Sequence, residues 1–241
     1  MDAPVLEVQD AHVAYAKYAY LVLKGVSFKI TQGQIVSLIG PNGAGKSTAL
    51  RAIFGLLKPK SGKVIFKGED ITGKSPPEIL RKGIAFVFQE SSIFPSMTVY
   101  ENLEMGTYIK DDPENFKKNL DRVYLLFEGL KEKERVRAGT LSGGQRRMLE
   151  VGRAMILNPE MLLLDEPSAG LSPKIRDLVF EKIVEINQKS KITILMVEQN
   201  AKQALEISDY VYLLVDGKNR TEGTAEEILS NTDIRKLYLG G

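Results

Sequence analysis

Three short stretches of this sequence carry residue types whose spacing could do chemistry. The first, Gly40-Pro41-Asn42-Gly43-Ala44-Gly45-Lys46-Ser47, followed by Thr48, fits the pattern GxxxxGK[ST]. Backbone N–H groups can curl around phosphate oxygens only where side chains stay clear, which accounts for the recurring glycines. Lys46 would neutralise the β- and γ-phosphates, and the Ser47 hydroxyl would ligand Mg²⁺. In the second, Met161-Leu162-Leu163-Leu164 runs into Asp165-Glu166. Asp165 is placed to hold Mg²⁺ directly or through water, and Glu166 to orient and deprotonate an attacking water. The third is Leu141-Ser142-Gly143-Gly144-Gln145. Ser142 and Gln145 fit a capping box, and two glycines expose backbone N–H groups, which makes a second anion site far along the chain from the first. Together these stretches point to Mg²⁺-dependent chemistry on a nucleoside triphosphate.

Such groups need strand ends and helix starts to hold them. Ile35–Ile39 is a near-continuous apolar run, as expected of a strand buried on both faces, and a helix is expected from Lys46 to about Leu56. Val5–Val13, Val26–Ile30, Lys63–Phe66, Ile84–Phe88, Met161–Leu164, Ile192–Val197 and Tyr210–Val215 read as further strands. Residues 98–137 read as helical, with Phe116, Leu120, Val123, Tyr124, Phe127 and Leu130 on one face. Ser172-Pro173 would cap a helix whose stripe is Ile175, Leu178, Val179, Ile183 and Ile186, and Ala201–Ile207 would form another. The alternation predicts an α/β fold with a mainly parallel sheet, whose strand ends are where ligands bind.

Composition narrows the chemistry. The chain has 241 residues, 33 Lys+Arg against 31 Asp+Glu, one His, no Cys and no Trp. Without cysteine there is no disulfide framework, thiol nucleophile or Cys-ligated metal, and one histidine cannot build a His₂ zinc site. A net charge of +2 argues against a protein that coats nucleic acid. Met1-Asp2-Ala3-Pro4 has no basic start to a secretory signal, and no apolar run approaches the roughly 20 residues of a membrane span.

The Leu141–Gln145 stretch, beside the phosphate loop and the acidic pair, resembles the ATP-binding cassette (ABC) ATPases, and the likeness covers nearly the whole chain. The resemblance implies a P-loop (RecA-like) core with an antiparallel β subdomain and an inserted helical subdomain. Residues 1–90 and 138–225 would be the core and β subdomain, 91–137 the helical subdomain and 226–241 a C-terminal tail. It implies that Ser142, Gly143, Gly144 and Gln145 bind the γ-phosphate of ATP held by a second ATPase subunit. Gln89, in Val87-Phe88-Gln89-Glu90, matches the family's Q-loop, which contacts Mg²⁺ and the attacking water. Tyr15 matches the aromatic that stacks on adenine, with Tyr18 as a rival. Two departures stand out. Ala169-Gly170-Leu171-Ser172 replaces the usual Ser-Ala-Leu-Asp of the D-loop. Gln199 stands where most members have a switch histidine, so it could donate a hydrogen bond to a γ-phosphate but not carry charge or shuttle a proton. The lone His12 lies far from that position and reads as structural.

Val197-Glu198-Gln199-Asn200-Ala201, Gln203-Ala204-Leu205 and Leu237-Tyr238-Leu239-Gly240-Gly241 resemble an ATPase subunit of branched-chain amino-acid importers. Urea or other amino-acid import, lipopolysaccharide export and a non-transport regulatory ABC protein are the alternatives. The resemblance implies permease subunits in the membrane, an extracytoplasmic binding protein and a peripheral place on the cytoplasmic face. Ile93, Phe94, Met97 and Val99 would either pack beneath the helical insertion or line a groove for a permease helix.

Overall fold

The computed structural model describes residues 3–15, 20–109 and 113–230. In chain order the strands are β1 (Leu6–Val13), β2 (Leu23–Ile30), β3 (Ile35–Ile39), β4 (Ser61–Phe66), β5 (Glu69–Asp70), β6 (Ile84–Val87), β7 (Met161–Asp165), β8 (Thr193–Val197), β9 (Tyr210–Val215) and β10 (Lys218–Gly223). The helices are α1 (Lys46–Ile53), α2 (Pro76–Arg81), α3 (Val99–Glu104), α4 (Pro113–Leu126), α5 (Glu128–Lys131), α6 (Gly143–Met155), α7 (Pro173–Ser190), α8 (Ala201–Ile207) and α9 (Ala225–Ser230).

A six-stranded sheet runs in the order β10-β9-β3-β8-β7-β6, and a four-stranded sheet in the order β2-β1-β4-β5. The large sheet is parallel except at its edge, where β10 pairs antiparallel with β9. The small sheet is antiparallel throughout. This is the expected α/β architecture with its antiparallel β subdomain.

Strands β3, β6, β7 and β8 are buried at every position. Side chains alternate across a strand, so each serves two cores. Ile35 and Ile39 of β3 join a cluster with Leu149 of α6 and Ile183 of α7. Val36 and Leu38 face the other way, into a cluster with Leu50 of α1 and Leu6, Val8 and Phe28 of the small sheet. With both faces covered, continuous apolar runs are what these strands require. The consequence for function is positional: β3, β8, β7 and β6 are neighbours, and all release their chains at one edge of the sheet.

The stretch expected to be helical over 98–137 is so, in several pieces. It comprises α3, a 3₁₀ turn at Met105–Thr107, α4 and α5. Phe127 breaks the run between α4 and α5 with φ −131° and ψ 67°. The expected apolar face survives, with Leu120, Val123, Tyr124, Phe127 and Leu130 all buried. The insertion is closed at its base by a bridge between Thr98 and Arg137, with Ala138 N–H donating to the Met97 carbonyl. Ser172 occupies the N-cap position of α7 but its side chain makes no capping bond, contrary to the expectation. Of the predicted α7 stripe, Val179, Ile183 and Ile186 are buried, whereas Leu178 is 41% exposed.

Candidate functional site

The phosphate loop follows directly from β3. Gly40 has φ +143°, and a Cβ there would come within 2.1 Å of the Leu214 carbonyl oxygen of β9, so only glycine fits. Gly45, with φ +98°, occupies the N-cap position of α1, and no side chain caps that helix. The first-turn N–H groups therefore face the loop, where the helix dipole favours an anion. Lys46 is buried, and its ammonium donates to the carbonyls of Gly40 at 2.8 Å and Pro41 at 3.0 Å. Pro41, Asn42 and Gly43 are exposed at the rim, while Ala44 and Gly45 are buried beneath it.

The other sheet-edge residues converge on this loop. Ser47 Oγ donates to Asp165 Oδ1 at 2.7 Å, joining the start of α1 to the end of β7. Glu166 follows in the left-handed region at φ +46°, a strained conformation for a residue with a side chain. Its N–H donates to the Val197 carbonyl of β8 at 2.9 Å. Its carboxylate accepts from two amides. Gln89 Nε2, beyond β6, reaches Oε2 at 2.7 Å, and Gln199 Nε2, beyond β8, reaches the two oxygens at 2.9 and 3.0 Å. Gln89, Gln199, Asp165, Glu166, Lys46 and Ser47 thus lie in one continuous polar cluster.

Its electrostatics are those of charge held away from water. Burial pushes the Asp165 carboxyl above its usual range, against the Ser47 hydrogen bond that opposes the rise. Burial also lowers the Lys46 ammonium, while Glu166, Asp165 and Glu198 act in the other direction. A cation and several carboxylates therefore share a poorly solvated space. Ser47 and Asp165 present hard oxygen donors in direct contact, the set that suits Mg²⁺, which takes one or two protein oxygens and completes its shell with phosphate and water.

Tyr15 sits against α1, its hydroxyl 3.3 Å from Thr48 Oγ1 and 3.4 Å from Arg51 Nη1. That places it beside the phosphate loop. Tyr18 lies outside the described residues. His12 is in β1, with Nδ1 2.9 Å from the Asp10 carbonyl oxygen, and takes no part in the cluster.

The Ser142–Gln145 stretch begins α6 with a complete capping box. Ser142 Oγ accepts from Gln145 N–H at 3.4 Å, and Gln145 Oε1 accepts from Ser142 N–H at 3.1 Å. Ser142 and Gly143 are exposed. Gly144 is buried against α7, where a Cβ would lie 2.4 Å from Ile175 Cγ2. No bond joins this stretch directly to the phosphate-loop cluster among the described residues.

Two residues of the site escape sequence reasoning. Arg147 of α6 donates to the Phe88 carbonyl at 2.7 Å and the Gln89 carbonyl at 3.0 Å, tying the segment that carries Gln89 to α6. Glu198 is 2% exposed and accepts from the Ser168 N–H at 3.0 Å and the Gln199 N–H at 3.1 Å. Burial raises its carboxyl, against those bonds. A signal for Glu198 does exist: β8 ends in an acid after an apolar run, just as β7 does.

Of the four apolar residues proposed for a groove, Val99 is in the core, Ile93 and Met97 are half-buried, and Phe94 is 41% exposed. Phe94 lines a depression of about 350 Å³ with Phe54, Phe88, Tyr108 and Arg153, whose guanidinium lies 5.6 Å from the Phe94 ring centre.

Residues 23–169 match the family model described as ABC transporter. The high-affinity branched-chain amino acid transport ATP-binding protein BraG of Pseudomonas aeruginosa is 43% identical over 219 residues, 91% of this chain and 93% of that protein. The probable branched-chain amino acid transport ATP-binding protein LivF of Archaeoglobus fulgidus is 42% identical over 91% of this chain and 92% of its own length. BraF of Pseudomonas aeruginosa, with the same description as BraG, is 34% identical over 100% of this chain and 99% of its own. Among solved structures, the ADP conformation of an ATP-binding cassette of an ABC transporter superposes with a TM-score of 0.87 at 31% identity, covering 100% of both chains. A dimeric cassette in a post-hydrolysis state, bound to ADP and phosphate, gives 0.79 at 26% identity over 91% of this chain and 98% of that one.

Proposed function

The chain belongs to the ABC transporter family, and from that premise we propose that it is the ATP-hydrolysing subunit of an importer of branched-chain amino acids, acting as one half of a cassette dimer. The hydrolytic part of this reading is carried by one arrangement: Glu166 held by two amides beside Lys46, Ser47 and Asp165. The cargo is carried by BraG and LivF, which are similar over nine-tenths of the chain.

In this reading Lys46 exchanges its bonds to the Gly40 and Pro41 carbonyls for phosphate oxygens, joined by the N–H groups of Asn42, Gly43, Ala44, Gly45, Ser47 and Thr48. Tyr15 stacks on the adenine. Ser47 and Asp165, with the Gln89 side-chain oxygen, would hold Mg²⁺, which when bound spreads the charge of the β- and γ-phosphates. Glu166 takes a proton from the attacking water as the water oxygen bonds to the γ-phosphorus; the bond from that phosphorus to the bridging oxygen breaks, and the oxygen leaves with the electron pair as part of ADP. Gln89 and Gln199 fix the Glu166 carboxylate, and Gln199 senses the γ-phosphate as a neutral donor. Ser142, Gly143, Gly144 and Gln145 complete the site of the partner cassette.

Two cassettes of one organism, BraG and BraF, resemble this chain, which supports a partner of the same kind. Among the described residues no helix is long and apolar enough to cross a membrane. We place the chain on the cytoplasmic face against separate permease subunits, with a permease helix in the Phe94 groove and a binding protein on the far side. The test is reconstitution with the second cassette, the permeases and the binding protein in proteoliposomes. Leucine should accelerate ATP hydrolysis and accumulate inside; acceleration by urea and not leucine would overturn the cargo.

A further inference from the structure

Glu198 is a carboxylate buried at the foot of the site with no role in the chemistry above. No salt bridge to it occurs among the described residues within 4.0 Å. Taking a carboxylate out of water is unfavourable unless hydrogen bonds replace the lost hydration. Here the replacements are backbone N–H groups, that of Ser168 on the neighbouring segment to one oxygen and that of the adjacent Gln199 to the other. An ionised carboxylate offers acceptors on both oxygens, whereas a glutamine would turn an NH₂ toward one of those donors. The residue type therefore suits a clamp between segments.

What the clamp joins is specific. Ser168 lies two residues after Glu166, and Gln199 is the residue whose side-chain amide rests on the Glu166 carboxylate. A second tie, from Glu166 N–H to the Val197 carbonyl, crosses the same two segments. The β7–β8 ladder ends at the Asp165–Val197 pair, so beyond it that bond and the Glu198 carboxylate set how the Gln199 backbone lies relative to Glu166.

We propose that Glu198 is a positioning residue for hydrolysis, acting through Gln199: its carboxylate pins the Gln199 backbone to Ser168 so that the Gln199 amide stays on Glu166. This rests on the ATPase reading above, and the test separates the two. Single-turnover ATP hydrolysis by the full chain is measured for the wild type, Glu198→Gln, Gln199→Ala and the double variant. Glu198→Gln alone is expected to slow hydrolysis about tenfold, the worth of one hydrogen bond to a charged group. In the Gln199→Ala background the same change is expected to cost less than twofold, because its target is gone. Affinity for trinitrophenyl-ATP should stay within twofold between the wild type and Glu198→Gln, and likewise between Gln199→Ala and the double variant. Equal losses in both backgrounds, a loss below twofold for Glu198→Gln alone, or a fall in nucleotide affinity matching the fall in rate would each overturn the proposal. Should Glu198→Gln fail to fold, Glu198→Asp, which keeps the charge and withdraws the oxygens by one methylene, runs the same cycle. A wild type that does not hydrolyse ATP would bring down the ATPase reading itself.

Discussion

Helices α1 and α6 both begin on glycine-rich turns, and they treat their first N–H groups in opposite ways. α1 starts from a left-handed glycine with no side-chain cap, inside the protein, with a buried lysine folded over the loop carbonyls. α6 starts at the surface, and its own Ser142 and Gln145 satisfy each other, with Lys133 Nζ also reaching Gln145 Oε1 at 3.1 Å. Both carry the partial positive charge of a helix start. One is left open, as suits a helix start that takes an anion on its own chain. The other is finished by itself and faces outward, as suits a surface that meets a ligand held by another molecule. The open start draws on the sheet edge for carboxylates and amides; among the described residues no sheet-edge carboxylate or amide is bonded to the closed start.

Changes at either start should therefore separate ligand capture from assembly. Glu166→Gln has the largest expected effect, slowing hydrolysis at least about 100-fold while ATP still binds. With saturating MgATP this variant should elute from size-exclusion chromatography as a dimer, both kinds of helix start engaged on one nucleotide. A persistent monomer would break the comparison. Gln199→Ala should slow turnover less than Glu166→Gln does, and single-turnover rates in the reverse order would reassign the base. Lys46→Ala should weaken ATP binding to the isolated chain by about tenfold or more, as a charge-assisted contact is lost, measured by fluorescent-nucleotide titration. Gly144→Ala drives a methyl into Ile175 and should cost about 1–3 kcal/mol in urea unfolding. Ser142→Ala removes only a cap, about 1 kcal/mol, and should leave the isolated chain's ATP affinity unchanged within twofold. A drop in that affinity would erase the distinction between the two starts.

The sequence announced the open start more fully than anything around it. The loop from Gly40 to Ser47 is contiguous, so its chemistry and its place between strand and helix are readable in one window. Strands β3, β7, β8 and β9 were legible because burial on both faces demands unbroken apolar runs. Strand β10, Lys-Asn-Arg-Thr-Glu-Gly, was not, since an edge strand held by its ladder to β9 needs no apolar pattern. The two-residue β5 and the short α2 escaped for want of length. The insertion was readable as helical by its apolar face, but not its breaks, which are backbone turns at Met105–Thr107 and Phe127. Within the candidate site, Lys46, Ser47, Gln89, Asp165, Glu166 and Gln199 could be singled out from the sequence, but their mutual bonds could not. Glu198 and Arg147 matter through backbone groups of residues distant in the chain, Ser168 for one and Phe88 and Gln89 for the other. A motif scan has no view of such partners.

The left-handed backbone of Glu166 bears on how this protein would respond to breeding in the laboratory. That conformation costs a side-chain-bearing residue about 1–2 kcal/mol, and glycine, or to a lesser degree asparagine, would relieve it. A library sorted only for survival of heat should thus drift toward glycine at position 166 and lose its turnover in the process. Recovering glutamate there under growth selection, after such a drift, would mark the point where the sequence best for folding and the sequence best for work diverge.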